Sequence, residues 1–536
     1  MTDIEIPYVE DRGKLYRFFE ILPGLSSWLV LILPIILALI SPYLTAFFVI
    51  GYILIWFCRS IALNLRVLQG HKAMTLHMGL DWTKLLRDLE TPADVELTEQ
   101  QKPLKWHGNN LRRLIAKEGN YIKPSEVIQL VIVAVYNETL DIVEPTIQSL
   151  LNSKYNANQV IVVLAYEERG GSQVAKDMQY LVDTYGREFM HMTSVEHPDG
   201  VPGEIIGKGG NITWAAKQFV PYFEKHQIDP MRVVVTTLDA DNRPHVSYFA
   251  CVSYAYVICP EKLHTSFQPI AMYMNNIWDV PPLMRVIATA NSFWYVALAL
   301  RPHMQRNFSS HSQGLSSLMG TDFWSVRTIV EDGHQFWRTY FRYDGQHEVF
   351  PIFVPIYQDA VLSATLKKTL KAQFIQLRRW AWGASDIAYV AKKGFFTKNK
   401  VPKGDLILKF FRLYEGHVSW ATQYLILAYS GFLTVYLNPS AARSYFVANE
   451  LPVIASLIQR VALIFLLATT YVTFRTLPPK PARYKNWRYI GIGVQWIFLP
   501  ITTVVYNTFA GLYSQTRLMF GWYIGKFDAT EKAVKK

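Results

Sequence analysis

The chain carries long apolar stretches near both ends, with alternating short apolar and polar runs between them. Residues 25 to about 57 are apolar except for a Ser-Pro pair at 41–42. A spanning helix needs ~20 residues, so this stretch predicts a tight hairpin of two membrane-spanning helices. The alternative is a hairpin buried in a soluble protein. Arg59 and Arg66 follow directly, and the positive-inside rule then predicts that the hairpin ends on the cytoplasmic side.

Three further apolar segments, at 417–436, 452–473 and 489–511, predict additional spans. The loop at 475–488 is rich in Arg and Lys, which predicts a cytoplasmic location. Five spans would leave the C-terminus outside, although the tail is basic. Pro500 lies within the last predicted span and would divide it into a re-entrant pair, giving six crossings and a cytosolic tail.

The central region predicts strands that alternate with helices. Apolar, β-branched runs at 127–138, 159–166, 190–195 and 232–239 predict strands, and the segments between them have helical spacing. This alternation is typical of a doubly wound, mainly parallel sheet. Beyond it, 361–390 has the pattern of an amphipathic helix and 406–411 is a short apolar run flanked by basic residues, so both are expected to lie in the membrane plane.

Composition agrees with a membrane protein. Hydrophobic residues make up 51% of the chain and charged residues 18%, whereas soluble proteins average roughly 25% charged residues. The net charge is +12, but the basic residues lie beside apolar segments, which favours anionic lipid headgroups over nucleic acid as partner. The three cysteines lack metal-ligand spacing and predict no disulfide framework.

Two acidic residues follow the most apolar strand. The run at 232–238 is followed by Asp239 and Asp241, at the edge where α/β proteins bind ligands. Two carboxylates at this spacing can share a divalent cation whose other positions accept a diphosphate. The alternative is a loop that opens with a turn-forming aspartate.

Two polar turns accompany this pair. The turn AVYNE at 134–138 ends the first strand and offers Asn137 and Glu138, where a nucleotide would bind. The turn GKGGN at 207–211 brings Lys208 beside two glycines, so its backbone can approach a phosphate that the lysine neutralises. Either motif alone is also compatible with an ordinary surface turn.

Further along the chain, Glu331 and Asp332 form an acidic pair, with Arg338 six residues after the aspartate. A carboxylate that takes a proton from an acceptor hydroxyl must approach the sugar opposite the leaving diphosphate, and Asp332 is the candidate. A helix N-cap is the alternative role for Asp332, since it precedes a helical pattern.

The motif QLRRW places Gln376, Arg379 and Trp380 at i, i+3 and i+4, on one helix face. An amide, a guanidinium and an indole together can bind a diphosphate and stack against a sugar. The alternative is an interfacial helix with its tryptophan at headgroup level.

In this order, and flanked by spans, these motifs resemble the polytopic inverting family 2 glycosyltransferases, which include cellulose, chitin and hyaluronan synthases. The resemblance covers about 25–536, and QxxRW is its most specific element. The tail segment FDATEK at 527–532 is similar to a family segment near the nucleotide. The family usually has an aspartate near the end of the second strand. This chain has Glu167 and Glu168 there, and either glutamate would take the place of that aspartate.

The resemblance implies a GT-A catalytic domain with Mg²⁺ or Mn²⁺ as cofactor. Asp241 would bind the metal, Asp239 would lie near it and near the donor's sugar or ribose, and Lys208 would contact the nucleotide. Asn137, Glu138 and Glu167 would complete the donor site. Asp332, beside Glu331, would be the general base. The diphosphate and acceptor sugar would be bound by Gln376, Arg379 and Trp380.

The expected organisation is an α/β GT-A domain inserted between transmembrane helices of a multi-pass protein of the inner or plasma membrane. Its parts are an N-terminal cytosolic segment (1–24), a transmembrane hairpin (25–66), a helical linker (67–125), a cytosolic catalytic domain (126–400), an interfacial helix (401–416), C-terminal spans (417–511) and a tail (512–536).

The function expected from this resemblance is transfer of a sugar from a nucleotide-sugar, UDP being favoured, to a growing polysaccharide with export through the spans. One alternative is a single transfer to a lipid acceptor. Another is a non-catalytic scaffold. The presence of all three acidic residues, Asp239, Asp241 and Asp332, argues against it. The sequence leaves the sugar, the linkage and the oligomeric state open.

Overall fold

The structure, a computed structural model, describes residues 4–96, 104–525 and Lys532. Its centre is one eight-stranded sheet in the order β3-β2-β1-β4-β7-β6-β8-β5. The strands are β1 Ile128–Val135, β2 Val160–Glu167, β3 His191–His197, β4 Val233–Asp239, β5 Arg243–Pro244, β6 Thr265–Met272, β7 Ser312–Gly314 and β8 Glu348–Tyr357.

The helices before and within the sheet domain are α1 Lys14–Ile40, α2 Pro42–Gly79, α3 Trp82–Asp88, α4 Lys105–Ile115, α5 Leu140–Leu151, α6 Ser172–Tyr185, α7 Lys208–Lys225, α8 Tyr248–Ile258, α9 Pro282–Ala299, α10 Leu315–Gly320 and α11 Glu331–Arg342. Those after it are α12 Leu366–Ala381, α13 Asp386–Phe395, α14 Lys403–Tyr429, α15 Leu433–Leu437, α16 Pro439–Ser444, α17 Phe446–Leu463, α18 Phe465–Thr476, α19 Arg488–Val494, α20 Leu499–Ile501 and α21 Phe509–Phe520.

The first half of the sheet has the predicted pattern. Strands β3, β2, β1 and β4 pair in parallel. The apolar runs of β1, β2 and β4 are continuous because helices cover both faces. Along β1, Val131 and Val133 enter the core that includes α8, whereas Leu130 and Ile132 enter the core that includes α7.

The second half of the sheet is mixed, so the sheet is mainly parallel as expected but contains two short antiparallel strands, β5 and β7, that the sequence did not predict. The short strand β7 runs antiparallel to both β4 and β6, while β6 and β8 pair in parallel. Three residues of β7 are enough to reverse the strand direction at the centre of the sheet. So short a strand has no period-2 signal for sequence analysis to find.

Within the described residues, four helices are long and apolar enough to cross a membrane: Lys14–Ile40, Pro42–Gly79, Ala448–Thr476 and Arg488–Phe520. The span expected at 417–436 is not among them; this region is divided among α14, the 3-10 helix Ser430–Phe432 and α15. The expected break near Pro500 has a counterpart in a π-helical segment, Thr502–Thr508, inside the last long helix.

The first and last long helices pack together. Ser27 donates a hydrogen bond to Gln515 Oε1 at 2.7 Å, and Arg17 donates to the carbonyl oxygen of Leu518 at 2.6 Å. In the same part of the chain, Ser514 donates to the carbonyl oxygen of Arg378 at 2.7 Å. The last helix is thereby joined to both the first helix and α12, which carries the QLRRW motif.

Candidate active site

The carboxyl ends of β1 and β4 lie side by side, since the parallel register brings Ala134 beside Asp239. Asp239 is the last residue of β4 and follows six buried positions. Ligands bind parallel sheets at this edge, where the chain leaves the strands. The polar residues after β4, the start of α7 and the start of α11 meet there.

Lys208 is the first residue of α7 and is buried. Its ammonium donates to Asp239 Oδ1 at 2.6 Å and to Ser309 Oγ at 2.9 Å, and Ser309 Oγ donates to Asp239 Oδ2 at 2.6 Å. Burial raises the pKa of Asp239, but the charges of Lys208 and Lys532 and the hydrogen bonds from Lys208 and Ser309 together outweigh burial, so the net shift is downward. Asp239 is therefore ionised, with both oxygens engaged by the protein.

Asp241 faces a different set of groups. Lys532 Nζ donates to its Oδ1 at 2.7 Å, and the Asp359 backbone N–H donates to its Oδ2 at 2.9 Å. Lys532 also lies 3.8 Å from Glu138 Oε1. Burial lowers the pKa of Lys532, but the carboxylates of Asp241 and Glu138 outweigh it and hold that pKa above its usual value. A cationic group thus lies against Asp241.

Lys532 belongs to the tail segment at 527–532 that carried part of the family resemblance. Residues 527–531 lie outside the described part of the chain. No spacing rule places this lysine beside Asp241, because 291 residues separate the two along the chain.

Asp359 is a third carboxylate at this edge, and sequence analysis missed it. It follows β8 by two residues, and its Oδ1 is buried without a hydrogen-bond partner. Burial raises its pKa to about 7, and the neighbouring Asp241 carboxylate adds to the rise. An acid just after an apolar strand is the signal that identified Asp239, so the same rule applied to β8 would have found Asp359.

Glu331 and Asp332 begin α11, with Val330 as the N-cap. Asp332 therefore does not cap the helix, and the N-cap alternative is wrong. Glu331 is buried, whereas Asp332 is partly exposed and accepts a hydrogen bond from the Gly333 N–H at 2.7 Å. Asp332 is thus the member of the pair that a substrate can reach.

The pKa of each acid in this pair is raised. Burial raises the pKa of Glu331 to about 8, and the Asp332 carboxyl adds to that rise. Burial also raises the pKa of Asp332, and the Asp239 carboxylate acts in the same direction while Lys208 opposes it. The mutual influence of Asp332, Asp239 and Lys208 locates α11 and β4 at one site. A raised pKa makes a carboxylate a stronger base.

Arg338 does not belong to this site. Its guanidinium donates to the carbonyl oxygens of Thr321 and Phe323, both at 2.8 Å, and forms an ion pair with Glu5 at 3.3 Å. It fixes the loop before α11 and the N-terminal segment of the chain.

The QLRRW motif lies in α12 and brings Arg379 to the acidic groups. Burial lowers the pKa of Arg379, opposed by the carboxylates of Asp239, Glu331 and Asp332. Arg379 therefore faces the acids of both β4 and α11. Gln376 lies on the same helix and accepts a hydrogen bond from Gln373 at 3.1 Å.

Trp380 joins a row of aromatic rings that the sequence did not predict. Its ring centroid is 6.2 Å from that of Tyr273, which is 6.5 Å from that of Tyr295. Tyr295 lies 5.0 Å from Phe308, edge to face. Burial raises the pKa of Tyr295, and Asp332 adds to the rise, so this aromatic row runs beside the candidate base.

The turns after β1 and β2 differ in what they offer. Asn137 is exposed. Glu138 accepts a hydrogen bond from the Tyr136 N–H at 2.8 Å and lies near Lys532. Glu167 is buried and paired with Arg169, whose guanidinium lies 4.1 Å above the Tyr136 ring. Glu167, which sequence analysis assigned to the donor site, is thus bound by an arginine of its own loop.

Gly209 lets α7 pack closely against the segment that leads into α11. A Cβ at this position would overlap the Ser325 carbonyl oxygen and lie 3.0 Å from Glu331 Cβ, whereas a Cβ at Gly210 would meet the movable Glu204 Oε2 at 2.6 Å.

We expect Gly209→Ala to lower the free energy of unfolding by about 1–3 kcal/mol through overpacking and to separate Lys208 from Glu331. Gly210→Ala is the matched control. Alanine stabilises a helix by about 1 kcal/mol relative to glycine, and this gain offsets the cost of displacing Glu204, so the stability of this variant should change little. Thermal unfolding of the two variants in detergent would measure the difference, and equal melting temperatures would contradict it.

Comparisons with known proteins found distant structural similarities and no similar sequence. No family model and no curated protein matches the sequence. Among solved structures, the mannosyltransferase PcManGT from Pyrobaculum calidifontis in complex with GDP-Man and Mn²⁺ is similar at 14% identity, over 83% of this chain and 98% of that one, with a TM-score of 0.41.

S. aureus TarS 1–349 in complex with UDP-GlcNAc is similar at 13% identity, over 74% of this chain and 93% of that one, with a TM-score of 0.34. TarS 1–349 alone is similar at 12% identity over the same shares, with a TM-score of 0.33. At TM-scores this low, we infer neither family nor function from these likenesses.

Proposed function

We propose that this protein is a membrane-embedded inverting glycosyltransferase that moves a sugar from a nucleotide-sugar, UDP being favoured, to a growing polysaccharide. The observation that carries the proposal is the meeting of Asp332, Asp239 and Arg379 at one edge of the sheet, where their charges shift one another's pKa values. Two carboxylates and a guanidinium close enough to influence one another suit a displacement with an anionic leaving group.

The donor's diphosphate has cationic partners on two sides. Lys208 lies at the start of α7, where the helix N-terminus also favours an anion. Arg379 faces the same acids from α12, and a guanidinium can bind a phosphate through two hydrogen bonds. Both cations are balanced by carboxylates in the donor-free protein, so a diphosphate would exchange partners with Asp239 and its neighbours.

The residues around Asp241 fit a divalent cation in part. Within the described chain, no three Asp, Glu, His or Cys side chains form a group that would hold a metal ion alone. Asp241 and the unpartnered Asp359 Oδ1 are hard oxygen donors, and Mg²⁺ typically takes only one or two carboxylates plus phosphate oxygens.

Asp241 and Asp359 would therefore hold the cation jointly with the diphosphate, and the cation, when bound, would neutralise charge that builds on the leaving group. The Lys532 ammonium lies 2.7 Å from Asp241 Oδ1, which indicates that the surroundings of this oxygen favour positive charge.

The chemical step would be a single displacement. Asp332 accepts the proton of an acceptor hydroxyl as that oxygen forms a bond to the anomeric carbon of the donor sugar. The bond from that carbon to the diphosphate oxygen breaks, its electron pair leaves with the nucleoside diphosphate, and Arg379 stabilises the new charge. The aromatic row from Trp380 to Tyr295 would bind the acceptor's sugar faces.

The pH dependence follows from the raised pKa of Asp332. A general base acts only when it is deprotonated, so kcat/KM should fall as pH drops through that pKa. The acid limb is expected above the ordinary aspartate value of about 3.9, because burial disfavours the ionised carboxyl. Glu331→Gln should keep this limb if Asp332 is the base. An acid limb near pH 4, or its loss in Glu331→Gln, would contradict the assignment.

The function is tested with the purified full chain in lipid, supplied with Mg²⁺ or Mn²⁺ and a panel of nucleotide-sugars. Nucleotide release and product size are measured together. Release from one donor with a high-mass product supports the proposal. Release with only a small lipid-soluble product would replace it with a single transfer to a lipid acceptor. No release in the presence of lipid and oligosaccharide acceptors would favour the scaffold.

A further inference from the structure

Four arginines from three parts of the chain meet away from the active site; we call them the arginine cluster. Arg59 and Arg66 come from α2, Arg301 follows α9, and Arg412 lies in α14. Arg59, Arg66 and Arg412 all act on the charge of Arg301. The Arg412 guanidinium also donates to the His303 carbonyl oxygen at 3.2 Å, which joins α14 to the loop after α9.

The positive charge of the arginine cluster is only partly compensated. Among the residues that the structure describes, the ion pair formed by an arginine of the cluster joins Arg59 to Glu415, at 2.6 Å. Burial lowers the pKa of Arg301, and the other three arginines lower it further, with no carboxylate opposing them. Arg412, Arg301 and Arg66 likewise add to the lowering of the His303 pKa that burial begins. Like charges this close repel one another unless an anion separates them.

The arginine cluster lies at the depth of a membrane surface. At 1.5 Å per residue, Arg59 is about 26 Å and Arg66 about 36 Å from the start of α2, and a hydrocarbon core is ~30 Å thick. The guanidinium of Arg59 also lies 4.7 Å above the Trp56 ring, and tryptophan is the residue enriched at headgroup level. The two arginines of α2 thus bracket the expected boundary.

Exposed apolar side chains accompany the cations on both helices. Ile55 and Leu63 share a face of α2 with Arg59 and Arg66, since the spacing is four, four and three. On α14, Leu408 precedes Arg412 by four residues, and Phe411 lies beside it. All four apolar side chains are at least two-fifths exposed. A phospholipid whose phosphate binds the arginines would therefore find an apolar surface for its acyl chains.

The geometry points to a binding site for an anionic phospholipid at the arginine cluster, with the headgroup phosphate between Arg301 and Arg412 and the acyl chains along α2 and α14. A free phosphate would match the charges alone, whereas the depth and the apolar rows match a lipid. This site is independent of the proposed function, because none of its residues belongs to the candidate active site.

The test is native mass spectrometry of the delipidated full chain in neutral detergent, titrated with phosphatidylglycerol or phosphatidylcholine. The double variant Arg301→Gln/Arg412→Gln should bind phosphatidylglycerol about thirtyfold more weakly than the original chain, the effect of removing two cations from an anionic surface. Arg301→Lys/Arg412→Lys keeps the charge and should retain most of the affinity. Phosphatidylcholine should bind weakly to all three proteins.

The matched control is Lys176→Gln/Lys225→Gln, which removes two exposed cations from α6 and α7 and should leave lipid binding unchanged. Equal phosphatidylglycerol binding by the Gln double variant and the original chain would overturn the proposal. So would full displacement of the lipid by millimolar inorganic diphosphate, since that result would identify a site for a free anion. Arg59→Gln/Arg66→Gln provides a second test from the other helix, with the same loss expected.

Discussion

Replacing Asp332 with asparagine is expected to slow sugar transfer about a thousandfold, the middle of the range for a general base, while donor affinity changes little. Asparagine keeps the size of the side chain and can still accept the hydrogen bond from the Gly333 N–H, but its amide oxygen is not basic. The deprotonation step is lost while the site keeps its shape. Single-turnover kinetics with saturating donor would isolate this step, and nucleotide titration would measure donor affinity separately.

The control for this variant is Asp344→Asn. Asp344 is exposed just past the end of the same helix, with φ +52°, a backbone region that asparagine tolerates well. The Asp344→Asn variant should therefore transfer sugar at the same rate as the original chain. If Asp332→Asn retained more than a tenth of the activity, Asp332 would not be the base. An equal loss in donor affinity would instead make Asp332 part of the donor site.

Replacing Asp241 with asparagine should remove the dependence on a divalent cation and most of the activity, by at least a hundredfold. Loss of a residue that only supports a metal ligand typically costs 10–100-fold in affinity or activity, and Asp241 would bind the metal directly. It also carries the negative charge against which Lys532 lies, at 2.7 Å. Mn²⁺ binding in the presence of nucleoside diphosphate, followed by electron paramagnetic resonance, gives a readout besides turnover.

Asp239→Asn separates the roles of Asp239 and Asp241. Both oxygens of Asp239 are engaged by Lys208 and Ser309, so this variant should displace Lys208 and weaken nucleotide binding, while Mn²⁺ binding at saturating nucleotide should stay largely intact. Asp359→Asn should weaken Mn²⁺ binding as Asp241→Asn does. Unchanged Mn²⁺ affinity in Asp241→Asn would contradict its assignment as a metal ligand.

The sequence predicted the parts of the site that obey local rules. Strands β1, β2 and β4 were recognisable because both faces of the sheet are covered there, so their residues form continuous apolar runs such as Leu130 to Val133. Polar residues at strand ends then indicated Asp239 and Asp241, and a helix spacing of three and four grouped Gln376, Arg379 and Trp380. The structure brings the acids and Arg379 to one edge, and their catalytic roles stay predictions.

The remaining parts depend on contacts between distant segments, which no local pattern encodes. Ser309 binds Asp239 from a loop without regular structure, and the aromatic row assembles from the residue after β6, from α9, from the chain after α9 and from α12. The segment expected to span at 417–436 is divided among α14, a 3-10 helix at Ser430–Phe432 and α15. Hydropathy averages over a window and does not register such a change of helix geometry.

The pairing of the first and last long helices orders the protein's biogenesis. Arg17 and Leu518 are hydrogen-bonded although 501 residues separate them, and Ser514 holds the carbonyl oxygen of Arg378, beside Arg379. During synthesis α1 is made long before its partner helix, and α12 lacks this support until the last long helix has been made. The position of Arg378, and with it that of Arg379, therefore depends on a helix that is synthesised after both residues.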